Sequence, residues 1–291
     1  MMTDMESATP ALCRLQLGYE LRKLRVAAGL TSREVVKKLL WSPSKLTRLE
    51  TGENATVEPS DIMALCQIYA ADAEMCELLD GYAVVTKTKR EWWQSAVYRP
   101  VISPGFRAFL GMEGAASALH SYESEWVPGL LQTEEYVRVI HEAHSALSRE
   151  EVNRKVVLRM KRQNVLHRDP PLKLAVVVSE AVLRRQIGGP DVMRAQLTHL
   201  IEAAAAPNVR VQVMPFNVGP HQGMNGAFST FQFRDPVMLK PIVYLENLAD
   251  HWITRNDADV ELYEDAFRDL QALAPGPQES LSIMKQALKE H

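Results

Sequence analysis

Hydrophobic residues recur with helical spacing near the start of the chain. Four of them are separated by four, three and four positions, and these are Leu17, Leu21, Leu24 and Ala28. This spacing places them on one stripe of a first helix, which we expect to end at Gly29. Thr31 and Glu34 then form the pattern of a capping box, which predicts that a second helix begins there. We expect the second helix to end around Leu40 and Trp41.

A third short helix follows, and its spacing separates inward from outward positions. Ser42 is a good N-cap and Pro43 suits the first helical position, so the helix begins here and ends before Gly52. Leu46 and Leu49 face the core. The polar residues that are thereby directed outward are Ser44, Lys45, Thr47 and Arg48.

Two more helices complete the N-terminal pattern. A fourth helix begins near Pro59 and Ser60, and its residues at packing spacing are Ile62, Leu65, Cys66 and Tyr69. A fifth runs from Asp72 to about Val84. The predicted N-terminal fold is therefore an all-α unit of five short helices.

Past residue 106 the pattern alternates between two periods. Helical spacing predicts helices over about Phe106–Ser124, Thr133–Ser145, Ser148–His167, Glu180–Gln186, Asp191–Ala205 and Ala258–Leu273. β-Branched or alternating runs predict strands over Leu172–Ser179, Val209–Phe216, Phe228–Phe233 and Pro241–Asn247. The C-terminal part is therefore predicted to be a mixed α/β (α+β) domain.

Length and charge divide the chain in the same way. A chain of 291 residues favours two domains. We assign residues 1–13 to a disordered tail, 14–84 to the helical domain, 85–105 to a linker with prolines, and 106–291 to the α/β domain. The whole chain carries a net charge of −3, yet the segment 14–55 has nine basic and four acidic residues. A basic head on an acidic body indicates a nucleic-acid-binding module joined to another domain.

Composition narrows the class of protein further. Hydrophobic residues make up 46% and charged residues 24%, as in ordinary globular proteins. No apolar run reaches the roughly 18 residues of a membrane span, and the N-terminus is polar, so we expect a cytoplasmic protein without a membrane partner. The three cysteines have no CxxC spacing, which argues against a disulfide framework and a zinc knuckle.

The third helix has the features of a DNA-reading element. Its outward residues are hydroxyl or cationic hydrogen-bond donors, and a short helix after a tight turn fits the major groove. The stretch LRKLRVAAGLTSREVVKKLLWSPSKLTRLETGE, in register from Leu17 to Ala83, resembles the XRE/Cro and phage-repressor helix-turn-helix family. The resemblance implies DNA contacts by Ser44, Lys45, Thr47 and Arg48, with Ser42, Ser32 and Arg33 near phosphates. The family often has Gln where this chain has Ser32, so Arg33 is the phosphate-contact candidate of helix two.

The same resemblance implies one structural ion pair and a family for the body. Arg25 and Glu50 match an ion pair that joins helix one to helix three. The segments YESEWVPGLLQTEEYVRVI, LRMKRQNVLHR, GGPDVMRAQLTHLIEAA and VRVQVMPFNVGPHQGMNGAFSTFQF resemble the C-terminal domain of unknown function of actinobacterial XRE-type regulators. Those regulators are described as antitoxin-like and encoded beside a small partner protein. The resemblance supplies no ligand.

The C-terminal domain contains few residue patterns typical of a catalytic or metal-binding site. The spacing of His141 and His144 is three rather than the four of HExxH, and there is no GxSxG, so we predict no catalytic residue, metal or cofactor. The long bend PFNVGPHQGMNGAF is the exception, because loops of this length are often functional. His221, Gln222 and Asn225 are its candidate residues for a pocket or partner surface; a plain structural loop is the alternative.

Together these features predict a DNA-binding transcriptional regulator that is not an enzyme. Its body is expected to form a homodimer on a pseudo-palindromic double-stranded DNA site and to sense a small-molecule effector or a small protein partner. The alternative is a protein-interaction adaptor that binds a small protein and has little DNA-binding activity of its own.

Overall fold

Two compact units make up the chain. The computed structural model describes residues 9–53, 57–143, 147–234, 240–247 and 251–291. Contacts between residues divide the chain into Met1–Ala115 and Ala116–His291. The predicted tail falls mostly outside the described residues, but its last residues do not: helix α1 begins at Pro10, with Thr9 as the N-cap.

Short α-helices form the described part of the first unit. They are α1 (Pro10–Ala27), α2 (Ser32–Leu39), α3 (Pro43–Thr51), α4 (Pro59–Tyr69), α5 (Ala73–Thr88) and α6 (Pro104–Ala115). The capping box of Thr31 and Glu34 is present, and Asp72 caps α5. The first five helices confirm the predicted all-α fold, because local caps and apolar stripes agree at each of them.

The core of this unit brings α1 against α3. Leu17, Leu21, Leu46 and Leu49 are each at most 1% exposed. Gly18 lets the helices approach closely, because a Cβ on this residue would lie 2.5 Å from the carbonyl oxygen of Leu49. The axis of α3 is therefore fixed by the sequence of α1 as well as by its own.

The predicted linker is largely ordered and attached to the first helix. Helix α5 continues to Thr88, and short 3₁₀ turns occupy Trp92–Gln94 and Arg99–Val101. The Glu91 carboxylate accepts hydrogen bonds from the backbone N–H of Ala11 and from Arg14, each at 3.2 Å. This buried ion pair belongs to the N-terminal unit, and burial raises the pKa of Glu91.

A mixed sheet with helices forms the second unit. Its strands are β1 (Ala118–Glu123), β2 (Lys173–Ser179), β3 (Val209–Met214), β4 (Phe228–Gln232), β5 (Ile242–Glu246) and β6 (His251–Thr254). Its helices are α7 (Glu134–Glu142), α8 (Arg149–Arg162), α9 (Glu180–Arg184), α10 (Pro190–Ala203), α11 (Asp257–Leu273) and α12 (Pro277–Glu290). The predicted α+β class is confirmed.

The strand order is β3-β2-β1-β4-β5-β6. The first three strands are mutually parallel, and the other neighbours are antiparallel. Successive strand residues point to opposite faces, so His120 and Tyr122 face one side, where the His120 ring stacks 4.8 Å from that of Phe267 in α11. Ser121 and Glu123 face the other side. Both faces of β1 are therefore placed in the interior of the unit.

One prediction for this unit is wrong. The helix expected over Phe106–Ser124 ends at Ala115, and the rest of that segment forms strand β1. The reason is tertiary, since β1 gains hydrogen-bonded neighbours on both sides, β2 and β4. Strand β6 and helix α12 were not predicted, whereas the four predicted strands are confirmed to within two residues at each end.

Candidate nucleic-acid interface

Helix α3 is held from behind by apolar and ionic contacts. Leu46 and Leu49 are each 1% exposed on its inner side. The Glu50 carboxylate accepts hydrogen bonds from Arg25 Nε at 2.6 Å and Nη2 at 2.9 Å, which confirms the predicted pairing of these residues. Arg25 also donates to the carbonyl of Leu30 at 3.0 Å. Because a bidentate pair fixes orientation as well as distance, the outer side of α3 is presented rigidly.

The outer side of α3 carries a continuous polar stripe. Ser44, Thr47 and Arg48 are exposed as predicted from the sequence, and Thr51 is exposed with them. Their spacing of three, four and seven residues from Ser44 puts the four side chains on one helical face. We call these four residues the α3 stripe. Thr51 was missed by the sequence analysis, although its distance of seven positions from Ser44 was available as a signal.

Hydrogen bonds leave the α3 stripe with one strong donor. Thr47 Oγ1 donates to the carbonyl of Pro43 at 3.1 Å, and Ser44 Oγ lies 3.1 Å from Ser42 Oγ. Within the described residues the Arg48 guanidinium has neither an ion pair nor a hydrogen bond. Its five N–H groups are thus available to an acceptor in front of the helix.

The fourth predicted residue of α3, Lys45, lies at the border of the stripe. It is half-buried, and its Nζ is 2.8 Å from an Asp61 carboxylate oxygen in the first turn of α4. The same ammonium group lies 3.9 Å from the centroid of the Trp41 ring. Helical spacing predicts an outward position for Lys45, and in the structure its side chain bridges α3 to α4.

The first residues of α2 and the N-cap of α3 are exposed. Ser32 and Arg33 are exposed in the first turn of α2, and Ser42 is exposed at the N-cap of α3. The Ser42 hydroxyl makes no capping hydrogen bond to α3. The N-terminus of α2 is closed by its capping box, whereas α3 has no side-chain cap. The Ser44 N–H of α3 therefore lies at a helix terminus that can take a phosphate oxygen.

In the second unit, the candidate loop covers the end of strand β1. Gly223 packs so closely on Tyr122 that a Cβ would lie 2.5 Å from the ring. The half-buried His221 ring is 5.8 Å from the Tyr122 ring, and its buried Nδ1 has no hydrogen-bond partner in the described residues. Gln222 and Asn225 are exposed together in a 3₁₀ turn. The structure thus separates the inward-facing His221 from the other two predicted residues.

A polar cluster on the opposite face of β1 was missed. Ser121 Oγ donates to Glu123 at 3.0 Å, and Ser229 Oγ lies 3.3 Å from Ser121 Oγ. Burial raises the pKa of Glu123 to about 7, while the positive charge of Arg159 in α8 partly opposes the shift. Burial also lowers the pKa of Lys155. No sequence signal pointed to this cluster, because Glu123 had been assigned to a helix.

The described ranges contain neither a candidate metal site nor a membrane-spanning helix. No group of three or more His, Cys, Asp or Glu side chains there is arranged to hold a metal ion. Spanning a bilayer needs a long apolar helix, and the described part of the chain contains none. His144 lies outside the described residues, so the His141 and His144 pair is not tested.

Two protein-family models match the chain. Residues 16–79 match a family described as a helix-turn-helix domain, in agreement with the geometry of α2 and α3. Residues 106–286 match a family described as a domain of unknown function, DUF5753. Comparison with curated proteins and with solved structures finds no match. Because the second family covers more than half of the chain, this protein belongs to the DUF5753 family, and a helix-turn-helix DNA-binding domain precedes that domain.

Proposed function

We propose that the protein is a sequence-specific transcriptional regulator of the XRE/Cro type, and that the α3 stripe enters the major groove of double-stranded DNA. The observation that carries the proposal is the contrast between the two sides of α3. Leu46, Leu49 and the Arg25–Glu50 pair fix the inner side, while Arg48 is exposed on the outer side. A rigid helix with an available guanidinium suits bidentate hydrogen bonding to guanine.

Phosphate contacts would set the register of the helix on the duplex. Arg33 is exposed in the first turn of α2, and the N-terminus of α3, which has no side-chain cap, presents the Ser44 N–H. Such contacts position a protein without reading sequence, whereas Ser44, Thr47 and Arg48 would read base edges. This division assigns affinity mainly to α2 and selectivity mainly to α3.

The proposed mode of action requires two copies of the domain. One short recognition helix contacts too few base pairs for useful selectivity, so we assign a homodimer to a pseudo-palindrome with half-sites about 34 Å apart. The C-terminal domain would supply the dimer contact and bind an effector or a small protein, as in an antitoxin-like regulator. The proposal is for a binding protein and assigns the chain no enzymatic activity and no cofactor. Light scattering at micromolar concentration tests the dimer, and a monomer both with and without DNA would refute it.

Arg48→Ala tests the function of the α3 stripe. Loss of a bidentate base contact should weaken binding to the selected site by about 1–3 kcal/mol and relax selectivity at one base pair. Binding to a scrambled duplex should change much less. Arg22→Ala, an exposed cation on α1, is the matched control. An equal loss on both duplexes would show that Arg48 contacts phosphate instead.

A second candidate function, a protein-binding adaptor, is favoured by the loop between β3 and β4. Phe216 is 66% exposed and Met224 is 73% exposed, so this one loop presents two large apolar side chains to solvent. Gln222, which is exposed on the same loop, would then line the partner surface, and the inward-facing His221 would hold the loop against Tyr122. The double variant His221→Ala/Gln222→Ala should lose response to an effector or partner; unchanged regulation with every candidate would remove the loop from the account.

A further inference from the structure

Lys45 differs from the residues of the α3 stripe because its charge already has a partner. Its Nζ lies 2.8 Å from the Asp61 carboxylate and 3.9 Å from the centre of the Trp41 ring. Its side chain is 35% exposed and that of Asp61 is 19% exposed. We call these three residues, Trp41, Lys45 and Asp61, the Lys45 latch.

The latch lies beside the surface that would meet DNA. Lys45 follows Ser44 directly and precedes Arg48 by three positions, so its Cα is at the edge of the α3 stripe. The flexible four-carbon stem of lysine lets one ammonium group reach either α4 or an anion in front of α3. A small rotation of side-chain torsions, without movement of a helix, would exchange one partner for the other.

The latch also differs from the ion pair on the other side of α3. Arg25 and Glu50 form two hydrogen bonds and are 12% and 9% exposed, so neither partner can leave without burying a lone charge. Lys45 makes a point-charge contact that solvent reaches. Partly exposed pairs of this kind are weak, which makes the latch easy to open.

A carboxylate and a phosphate offer the Lys45 ammonium the same chemistry. Asp61 satisfies the charge in the free protein, and a phosphate of bound DNA would satisfy it in the complex. Each cation that moves onto the duplex releases counterions from DNA, which favours the exchange most at low salt. Because Asp61 competes with every phosphate, it lowers the affinity for all DNA and leaves selectivity to the α3 stripe.

We propose that Asp61 is an affinity-setting residue that holds Lys45 through the Lys45 latch in the free protein and gives it up to a DNA phosphate on binding. This inference rests on the proposed DNA-binding function and deepens it. In this inference the Lys45 ammonium contacts a DNA phosphate in the complex. Asp61 competes with that phosphate for Lys45, although Asp61 itself does not contact DNA.

The test is a double-mutant cycle of Asp61→Asn and Lys45→Met, with DNA affinity measured over a range of salt concentrations. The probe is a duplex selected by the wild-type protein from a random pool. Asp61→Asn should bind about two- to five-fold more tightly, by the usual strength of such a pair. Lys45→Met should reduce the slope of log affinity against log salt by about 0.9, the loss of one phosphate contact. In the Lys45→Met background, Asp61→Asn should bring no gain.

Controls separate the latch from general effects of charge and from loss of folding. Glu53→Gln removes an exposed carboxylate of the same domain and should change affinity by less than about two-fold. Lys45→Gln is a second neutral variant, and circular dichroism melts verify that each variant folds.

Two outcomes would overturn the inference while the proposed function stands. A wild-type salt slope in both Lys45 variants would show that Lys45 stays on Asp61 in the complex. If Asp61→Asn still increases DNA affinity in the Lys45→Met background, the increase comes only from removing a negative charge near the DNA. If the wild type fails to prefer its selected duplex over a scrambled one, the proposed function fails, and the inference about Asp61 fails with it.

Discussion

Leu40 ends helix α2 in a conformation that L-residues avoid. Its φ is 55° in the left-handed region, and its side chain is 93% exposed, so packing does not compensate the strain. Glycine adopts this conformation without the steric cost, although it loses more entropy on folding. We therefore expect Leu40→Gly to stabilise the helix-turn-helix domain by roughly 0.5–1 kcal/mol.

Urea unfolding followed by circular dichroism measures this gain. Leu40→Ala is the matched control, because it shortens the exposed side chain and keeps the strain of a residue with a Cβ. A gain in the alanine variant equal to that of the glycine variant would show that the exposed apolar surface, and not the backbone, is the source of the instability.

At the same scale, Glu123 links stability to pH. Burial raises its pKa from 4.5 to about 7 in the folded protein, so the folded state binds more protons than the unfolded state between these values. Stability should therefore fall as the pH rises from about 5 to 8. Because Glu123 is partly exposed, we discount the full shift to roughly 1–2 kcal/mol.

Glu123→Gln should remove this part of the pH dependence. The variant is expected to match the wild type near pH 5 and to be more stable by roughly 1–2 kcal/mol at pH 8. Urea unfolding at four pH values from 5 to 8 measures the difference, with the exposed Glu142→Gln as the control. Parallel curves for wild type and Glu123→Gln would contradict the assignment.

At the scale of elements, one buried side chain ties the turn before α7 to α10. The Gln196 amide accepts a hydrogen bond from the backbone N–H of Thr133 at 2.8 Å and donates one to the carbonyl of Leu131 at 2.7 Å. Gln196 is fully buried. Gln196→Ala leaves the buried Leu131 carbonyl and the part-buried Thr133 N–H without their partner and should destabilise the C-terminal domain by about 2–4 kcal/mol.

The exposed Thr198→Ala on the same helix is the control for helix propensity. Calorimetry can follow the two variants. The unfolding temperature of the helix-turn-helix domain should be the same in both variants as in the wild type. A loss below about 0.5 kcal/mol for Gln196→Ala would mean that water replaces the amide.

Elements with local signals could be predicted from the sequence. The capping box of Thr31 and Glu34, and Pro43 after Ser42, fix helix ends through contacts within four residues, so α2 and α3 were found. Strand β1 carries no such signal, because both faces are covered and Ser121 and Glu123 read as polar surface positions. Its pairing depends on strands more than fifty residues away along the chain, and that information is not local.

The residues of the candidate interface also differ in whether local sequence signals could predict their environment. Helical spacing alone put Ser44, Thr47 and Arg48 on an exposed face, and the structure agrees. It could not show that Lys45 is bound to Asp61, because sixteen positions separate these residues and the contact depends on how α4 crosses α3.

At the scale of the whole molecule, the most basic segment of the chain overlaps the helix-turn-helix match. Segment 14–55, which contains α2 and α3, has nine basic and four acidic residues. Met1–Ala115 as a whole has 14 of each, and the larger domain has 19 basic and 22 acidic residues. The local excess of positive charge in segment 14–55 would favour the approach of DNA to that segment.

Selection from a random-sequence duplex pool by the full-length wild-type protein tests the central claim most directly. The account predicts enrichment of one pseudo-palindrome whose half-sites are centred about 10 base pairs apart, with binding that weakens steeply as salt is raised. The Arg48→Ala variant should enrich the same pseudo-palindrome poorly. A pool that stays at its input composition after repeated rounds, with binding equal for all sequences, would contradict the account.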